Sequence, residues 1–210
     1  MVSRTACNMV TFLSPERPTS DTKTLSVAFA FCRQTPNLRP MKTLYATLLM
    51  SLLPIFGDAA EKLAVGASIP DVTCNDQDGK PVSLAKEGAK GTLLVYFYPK
   101  AKTGGCTKQG CSLRDGWADL QKAGVSVLGV STDDEKLQKE FQEEQKFPFR
   151  LLADKEKKAV TEAFGVKNLI GMAGRSAFLF VDGKCVYADH KGHTSDQAKV
   201  ILDFLASAKK

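Results

Sequence analysis

Long apolar runs, histidines and closely paired cysteines are all scarce in this chain. The longest uncharged apolar stretch, Leu44 to Phe56, falls short of the ~20 residues that a membrane-spanning helix needs, and Pro54 interrupts it. Two histidines in 210 residues, and no cysteines separated by two residues, leave neither the usual zinc spacing nor a dithiol-exchange motif. No glycine motif for a nucleotide phosphate occurs. An excess of basic charge is missing where it would matter. The net charge is +6, but six of the 29 basic and three of the 23 acidic residues fall in residues 1–59, so the remainder carries only +3. That near-neutral, mixed surface argues against nucleic-acid binding. The six cysteines are too few for a disulfide-stapled scaffold: Cys7 and Cys32 lie early, and Cys74, Cys106, Cys111 and Cys185 are spread over residues 60–210.

What is present is ordinary in bulk, 43% hydrophobic and 25% charged, with room for one well-packed domain and an additional segment. Residues 1–40 are rich in Ser, Thr, Arg and Pro and hold no sustained helical or strand period. Met41 and Lys42 then precede the apolar stretch, and Gly57-Asp58-Ala59 supplies small residues for cleavage. The pattern is that of a secretory signal starting at Met41. Residues 1–40 are therefore expected to be a non-native or disordered extension, 41–59 a signal peptide, and 60–210 the folded domain. The expected destination is export to a bacterial periplasm, with no stable membrane insertion after cleavage. The acid-poor, Ser/Thr-rich start also fits an alternative, a transit peptide into an organelle such as a plastid.

From Leu63 the chain becomes regular. "IPDVTCNDQDGKPVSL" reads as a hairpin turning at Asp78-Gly79, and "GTLLVYFYP" (91–99) as a buried central strand ended by Pro99. Leu113, Trp117 and Leu120 give 107–122 a helical spacing, and "VSVLGVS" (125–131) is a second buried strand. Residues 133–146 begin with acids and read as an exposed helix with Leu137 and Phe141 inside; "FRLLAD" is a short strand and "KKAVTEAFGV" a helix stopped by Gly165. "SAFLFVDGKCVYAD" is a hairpin turning at Asp182-Gly183, and 194–207 a helix with Ala198, Ile201, Leu202 and Leu205 on one face. Alternating strands and helices with a late hairpin predict an α/β domain: a central mixed sheet flanked by helices, with an N-terminal β-hairpin.

Chemistry concentrates in "YPKAKTGGCTKQGCSLRD", Tyr98 to Asp115. Cys106 follows a strand and two glycines at the point where a helix starts. Free amides and about half a positive charge at a helix N-terminus favour thiolate, the nucleophilic form. Gly104 and Gly105 let a small ligand approach the backbone, and Lys102 and Lys108 are expected to add cationic surroundings. Cys111 lies five residues on, which along a helix places the two Cα atoms roughly 8–9 Å apart. A disulfide needs less than about 7 Å. Either the pair never bonds or the first helical turn unwinds to let it.

Pro99, Thr103 and Cys106 together form a Pro-x-x-x-Thr-x-x-Cys motif that resembles the peroxiredoxins. The second cysteine five residues later is similar to the peroxiredoxin Q, or bacterioferritin comigratory protein, subgroup. The resemblance runs from about Leu63 to Leu205 and also covers "DQDGKPVSL", "FPFRLLAD" and "GRSAFLFVDGK". It implies a thioredoxin-like fold and a thiol-specific peroxidase, acting on hydrogen peroxide and organic hydroperoxides in antioxidant defence. Cys106 would be the peroxidatic cysteine and Cys111 the resolving one, closing an intramolecular disulfide. Thr103 would hydrogen-bond the thiolate and the peroxide, Arg175 would hold the thiolate and the leaving oxygen, and Pro99 would shield the site. A thioredoxin-like dithiol protein would be the reductant, no cofactor or metal would be needed, and the chain would be a monomer. Gly104 stands where the subgroup typically has proline, which predicts easier unwinding and a less preorganised pocket.

Other readings are weaker. Cys74 and Cys185 sit on expected strands and read as small hydrophobes. His190 and His193, in "DHKGHTSD", would serve a copper-delivery protein, but such proteins place three residues between their cysteines and this chain has four. A protein disulfide-exchange enzyme would require the two-residue spacing that is absent.

Overall fold

The computed structural model describes residues 62–208 apart from Lys167; the expected extension and signal peptide lie outside the described residues. In chain order the elements are β1 (Thr73–Asn75), β2 (Pro81–Ser83), α1 (Leu84–Gly88), β3 (Thr92–Phe97), α2 (Gly104–Asp115), α3 (Trp117–Lys122), β4 (Val125–Ser131), α4 (Glu135–Gln145), β5 (Arg150–Ala153), α5 (Ala159–Ala163), β6 (Asn168–Leu169), β7 (Met172–Ala173), β8 (Ser176–Val181), β9 (Lys184–Asp189) and α6 (Gln197–Ala208).

Five strands form the main sheet in the order β5-β4-β3-β8-β9. The β3–β4 and β4–β5 pairs are parallel, each joined by a helical crossover, while β8 runs antiparallel to β3 and to β9. The β8–β9 hairpin turns at Asp182 and Gly183, both at positive φ (+46° and +76°), matching the twist of the flanking strands. The N-terminal hairpin β1–β2 is a separate antiparallel pair, and Gly79 in its turn adopts φ +73°. The Asp76 carboxylate fixes that turn, accepting from the Asp78 and Lys80 amides at 2.9 Å each.

The period of two along β3 divides the core. Leu93, Val95 and Phe97 face one side, with α1, α5 and the N-terminal hairpin, while Leu94, Tyr96 and Tyr98 face the other, with α2, α3, α4 and α6. Cys74 and Cys185 belong to the first side, and Cys106 to the second.

One expectation is corrected. The helical spacing over 107–122 is not one helix: α2 ends at Asp115, Gly116 sits at φ −85°, ψ 6°, and α3 restarts at Trp117. Glycine at this junction answers to close packing, because a Cβ on Gly116 would lie 2.7 Å from the Ala198 Cβ of α6. The short α1 and the β6–β7 pair were absent from the sequence reading.

Candidate active site

The sheet topology brings the ends of distant segments together. Pro99, half-buried, follows β3, and seven residues later Cys106 lies in the first turn of α2 with 2% of its surface exposed. The antiparallel register pairs Phe97 with Ser176, so Arg175, one residue before β8, stands at the same rim as the start of α2. Arg175 Nη2 donates to Cys106 Sγ at 3.4 Å, and Nη1 donates to the Gly105 carbonyl at 3.4 Å. A Cβ on Gly105 would meet Nη2 at 3.1 Å, so glycine there admits the guanidinium. Around a Cβ on Gly104 the space is open.

Thr103 is the N-cap of α2 in extended backbone (φ −88°, ψ 150°), and its hydroxyl donates to the Lys100 carbonyl at 2.9 Å. No side chain caps the helix, and its first turn contains no acid. The amides that open α2 thus keep their capacity for an anion at the Cys106 end. The Thr103 hydroxyl is turned to Lys100 in this state and makes no bond to Cys106.

The expected cationic surroundings need correcting. Lys102, at φ +61°, sends its ammonium to Glu140 (2.8 Å) and Glu144 (2.6 Å) of α4, and Lys108 is exposed. Arg175 is the cation on Cys106.

Several residues that support this geometry escaped the sequence reading. Gln109, three residues after Cys106 and fully buried, accepts from Arg175 Nη1 at 2.6 Å and donates to Gln197 Oε1 at 3.0 Å. The His193 amide also donates to Gln197 Oε1, at 3.2 Å. Gly192, at φ +61°, allows its loop to lie on Arg175, since a Cβ there would sit 2.5 Å from Arg175 Cγ. Beneath the loop after β3, the Asp133 carboxylate accepts from the Ala101 amide at 2.7 Å and from the Ser131 hydroxyl at 2.8 Å. Tyr98 donates to Gln138 Oε1, and Gln138 Nε2 donates to Ser131 Oγ and the Leu152 carbonyl. Burial, the largest influence, pushes the Tyr98 phenol up, so it stays a neutral donor. The one sequence signal for these glutamines was polarity at positions otherwise facing inward.

Cys111 is a free thiol, half-buried, on the intact α2 helix with Cys106. Its sulfur donates to Gln145 Oε1 at 3.6 Å and does not contact Cys106. The two histidines do not converge on the cysteines. His190 Nε2 lies 3.1 Å from the Leu63 carbonyl, and His193 pairs with Asp196 and Asp189 at 3.1 and 3.6 Å. Both are half-buried tethers of their loop.

The chain is similar in sequence and fold to known proteins. The family model described as "AhpC/TSA family" matches residues 65–188. Peroxiredoxin Bcp of Escherichia coli is 41% identical over 152 residues, covering 68% of this chain and 96% of that protein. The chain belongs to the AhpC/TSA family, among its Bcp and Q peroxiredoxins. This peroxiredoxin is also 40% identical over 126 residues to peroxiredoxin bcp1 of Schizosaccharomyces pombe, covering 59% of this chain and 65% of that one. It is 42% identical over 120 residues to the chloroplastic peroxiredoxin Q of Oryza sativa subsp. japonica, covering 56% and 54%. The chain thus spans between half and two thirds of the length of those two relatives. Among solved structures, the bacterioferritin comigratory protein of Xanthomonas campestris, described with alkyl peroxide reduction activity, superposes with a TM-score of 0.62 at 31% identity. That match covers 70% of this chain and all of the other. The peroxidoxin BcpB of Mycobacterium tuberculosis gives 0.64 at 29% identity, covering 70% and 99%. The expected thioredoxin-like fold is the fold these structures share.

Proposed function

We propose that this peroxiredoxin is a thiol peroxidase that reduces hydrogen peroxide and organic hydroperoxides, with Cys106 as attacker and Cys111 as resolver. The observation that carries the reading is the Arg175 guanidinium on the Cys106 sulfur at an uncapped helix start. In the first step the Cys106 thiolate attacks one peroxide oxygen. The S–O bond forms, the O–O bond breaks, and the leaving oxygen takes a proton to depart as water or an alcohol. Arg175 and the α2 amides offset the charge that develops on that oxygen. The Thr103 hydroxyl would leave the Lys100 carbonyl to serve the peroxide, and Pro99 would exclude water.

In the second step α2 unwinds at its first turn, because the helix holds the two Cα atoms roughly 8–9 Å apart and a disulfide needs less than about 7 Å. The Cys111 sulfur then attacks the Cys106 sulfenic sulfur; S–S forms, S–OH breaks, and hydroxide leaves as water. A thioredoxin-like dithiol protein reduces the disulfide by exchange. Because both cysteines lie in one chain, a monomer suffices. Export, with cleavage of residues 41–59, is part of the same proposal.

The test is a thiol count and intact mass before and after one equivalent of hydrogen peroxide, with Cys111→Ser in parallel. The expected result is loss of two thiols in the wild type and a trapped sulfenic acid on Cys106 in the variant. Persistence of all thiols would overturn the reading.

A further inference from the structure

The last turn of α4 grips the middle of α2. Cys111 Sγ donates to Gln145 Oε1 at 3.6 Å, and one turn further along α2 Arg114 Nη1 donates to the Gln145 carbonyl at 2.8 Å. That carbonyl belongs to the final residue of α4, where helical carbonyls lack intrahelical partners, so Arg114 caps α4 from outside. Gly110 completes the grip: a Cβ there would lie 2.4 Å from the Phe147 ring, which follows α4 directly. Residues 110–114 are therefore fastened to residues 145–147, while Gly104, at the start of α2, borders open space.

Cys111 and Arg114, three residues apart, are neighbours on one face of the helix. Asp115 is the main influence holding the Arg114 guanidinium above its ordinary value; burial opposes it, and the Cys111 sulfur adds to it. Around Cys111 the charged groups on α2 are the exposed Lys108, three residues before it, and Arg114 with its ion-pair partner Asp115, at 2.8 Å. Helix α4 presents the neutral Gln145 amide, flanked by Lys146 and by Glu144, which is paired with Lys102. From β3 comes Tyr96, a fully buried phenol that burial keeps neutral and whose hydroxyl has no hydrogen-bond partner.

We infer that Arg114 is a positioning residue for the resolving cysteine: anchored on the end of α4, it keeps the Cys111 segment of α2 stationary while the first turn unwinds to bring Cys106 across. This rests on the peroxidase reading of the two cysteines. In resolution the Cys111 sulfur, held in place through Arg114, attacks the Cys106 sulfenic sulfur; S–S forms and the hydroxyl leaves as water. In reduction, a thiolate of the dithiol reductant attacks Cys106 Sγ, the S–S bond breaks, and the electron pair departs on the Cys111 sulfur, which returns to its place beside α4.

The experiment is stopped-flow fluorescence of the full chain after mixing with hydrogen peroxide. Trp117, the single tryptophan, follows α2 and packs against Phe149 with ring centroids 5.9 Å apart, so it reports both oxidation of Cys106 and the later rearrangement. Arg114→Gln is expected to leave the first phase unchanged and to slow disulfide formation about tenfold near neutrality. Arg114→Lys should restore most of the rate, and the glutamine variant should accumulate more sulfinic acid on Cys106.

Gln145→Ala keeps the carbonyl that anchors Arg114 but frees the Cys111 thiol. Its second phase is expected to be faster, which provides a second reading if Arg114→Gln does not fold. A second phase in Arg114→Gln as fast as that of the wild type, while the wild type forms its disulfide, would overturn this inference alone. A wild type that keeps all its thiols would remove the peroxidase reading and this inference together.

Discussion

Arg175 and Cys106 are 69 residues apart in the chain, yet the guanidinium donates to the thiol sulfur at 3.4 Å. The antiparallel pairing of β8 with β3 makes this contact, because it returns the chain to the rim where α2 begins. Replacing Arg175 by Met should slow oxidation of Cys106 by about 10²–10³-fold, the usual cost of losing one preorganised donor at a developing charge. Arg175→Lys should recover only part, since an ammonium cannot serve Sγ, Gln109 and the Gly105 carbonyl from one rigid plane. Single-turnover oxidation with excess peroxide measures both, and an unchanged rate in the methionine variant would remove Arg175 from the chemistry.

Gly104 opens α2, and Thr103 before it is already in the extended backbone that a following proline demands. A Cβ at Gly104 meets nothing within 4 Å. Gly104→Pro should therefore raise stability by about 0.4–1 kcal/mol through the unfolded state and slow disulfide formation by holding the first turn. Urea unfolding checks the first effect and stopped-flow fluorescence the second. Identical rates of sulfenate formation and resolution would mean that this position does not govern unwinding.

Burial first, then the Asp154 and Glu135 charges, pushes the Cys74 thiol up to about 12, and burial raises Cys185 as well. Both are expected to resist iodoacetamide in the folded protein near neutral pH and to label only when it is denatured. Mass mapping of alkylated peptides decides this. Native labelling of Cys74 at the pace of a free thiol would contradict it.

Asp134 caps α4, accepting from the Leu137 amide at 2.9 Å and pairing with Lys155 at 3.0 Å. The amide chiefly, then Lys155, holds its carboxyl below the ordinary range. A folded value below the unfolded one gives stability that is present above the unfolded value and lost as pH falls through the folded value. Asp134→Ala should cost about 1 kcal/mol near neutrality, nearly all of it from the cap. The exposed ion pair adds little. Denaturant titrations at neutral and acid pH should show that difference shrinking in acid, and a constant difference would refute the charge contribution.

Helices α4, α5 and α6, the β1–β2 and β8–β9 hairpins and the central strands could be read from the chain because period and turn chemistry are local. Pro99, Thr103 and Cys106 form a motif on one continuous segment. Arg175 was reached only through resemblance to a family, since nothing local marks it. Gln109, Gln138 and Gln197 were invisible for a physical reason: a buried amide is tolerated only where a partner from another element meets it, and sequence spacing does not reveal that partner. The break at Gly116 was missed in the same way. The glycine there answers to Ala198 on α6, 82 positions later, and not to helix propensity.

The alternation of β3 has a consequence for folding in an oxidising environment. Cys74 and Cys185 lie on one side of the sheet, Cys106 and Cys111 on the other. A hydrogen-bonded wall five strands wide insulates one pair from the other. Were Cys106 to turn electrophilic as proposed, scrambling toward Cys74 or Cys185 would require that wall to come apart, whereas pairing with Cys111 would require one turn of helix. Fidelity in the choice of thiol thus belongs to the architecture and holds even where no isomerase corrects mistakes.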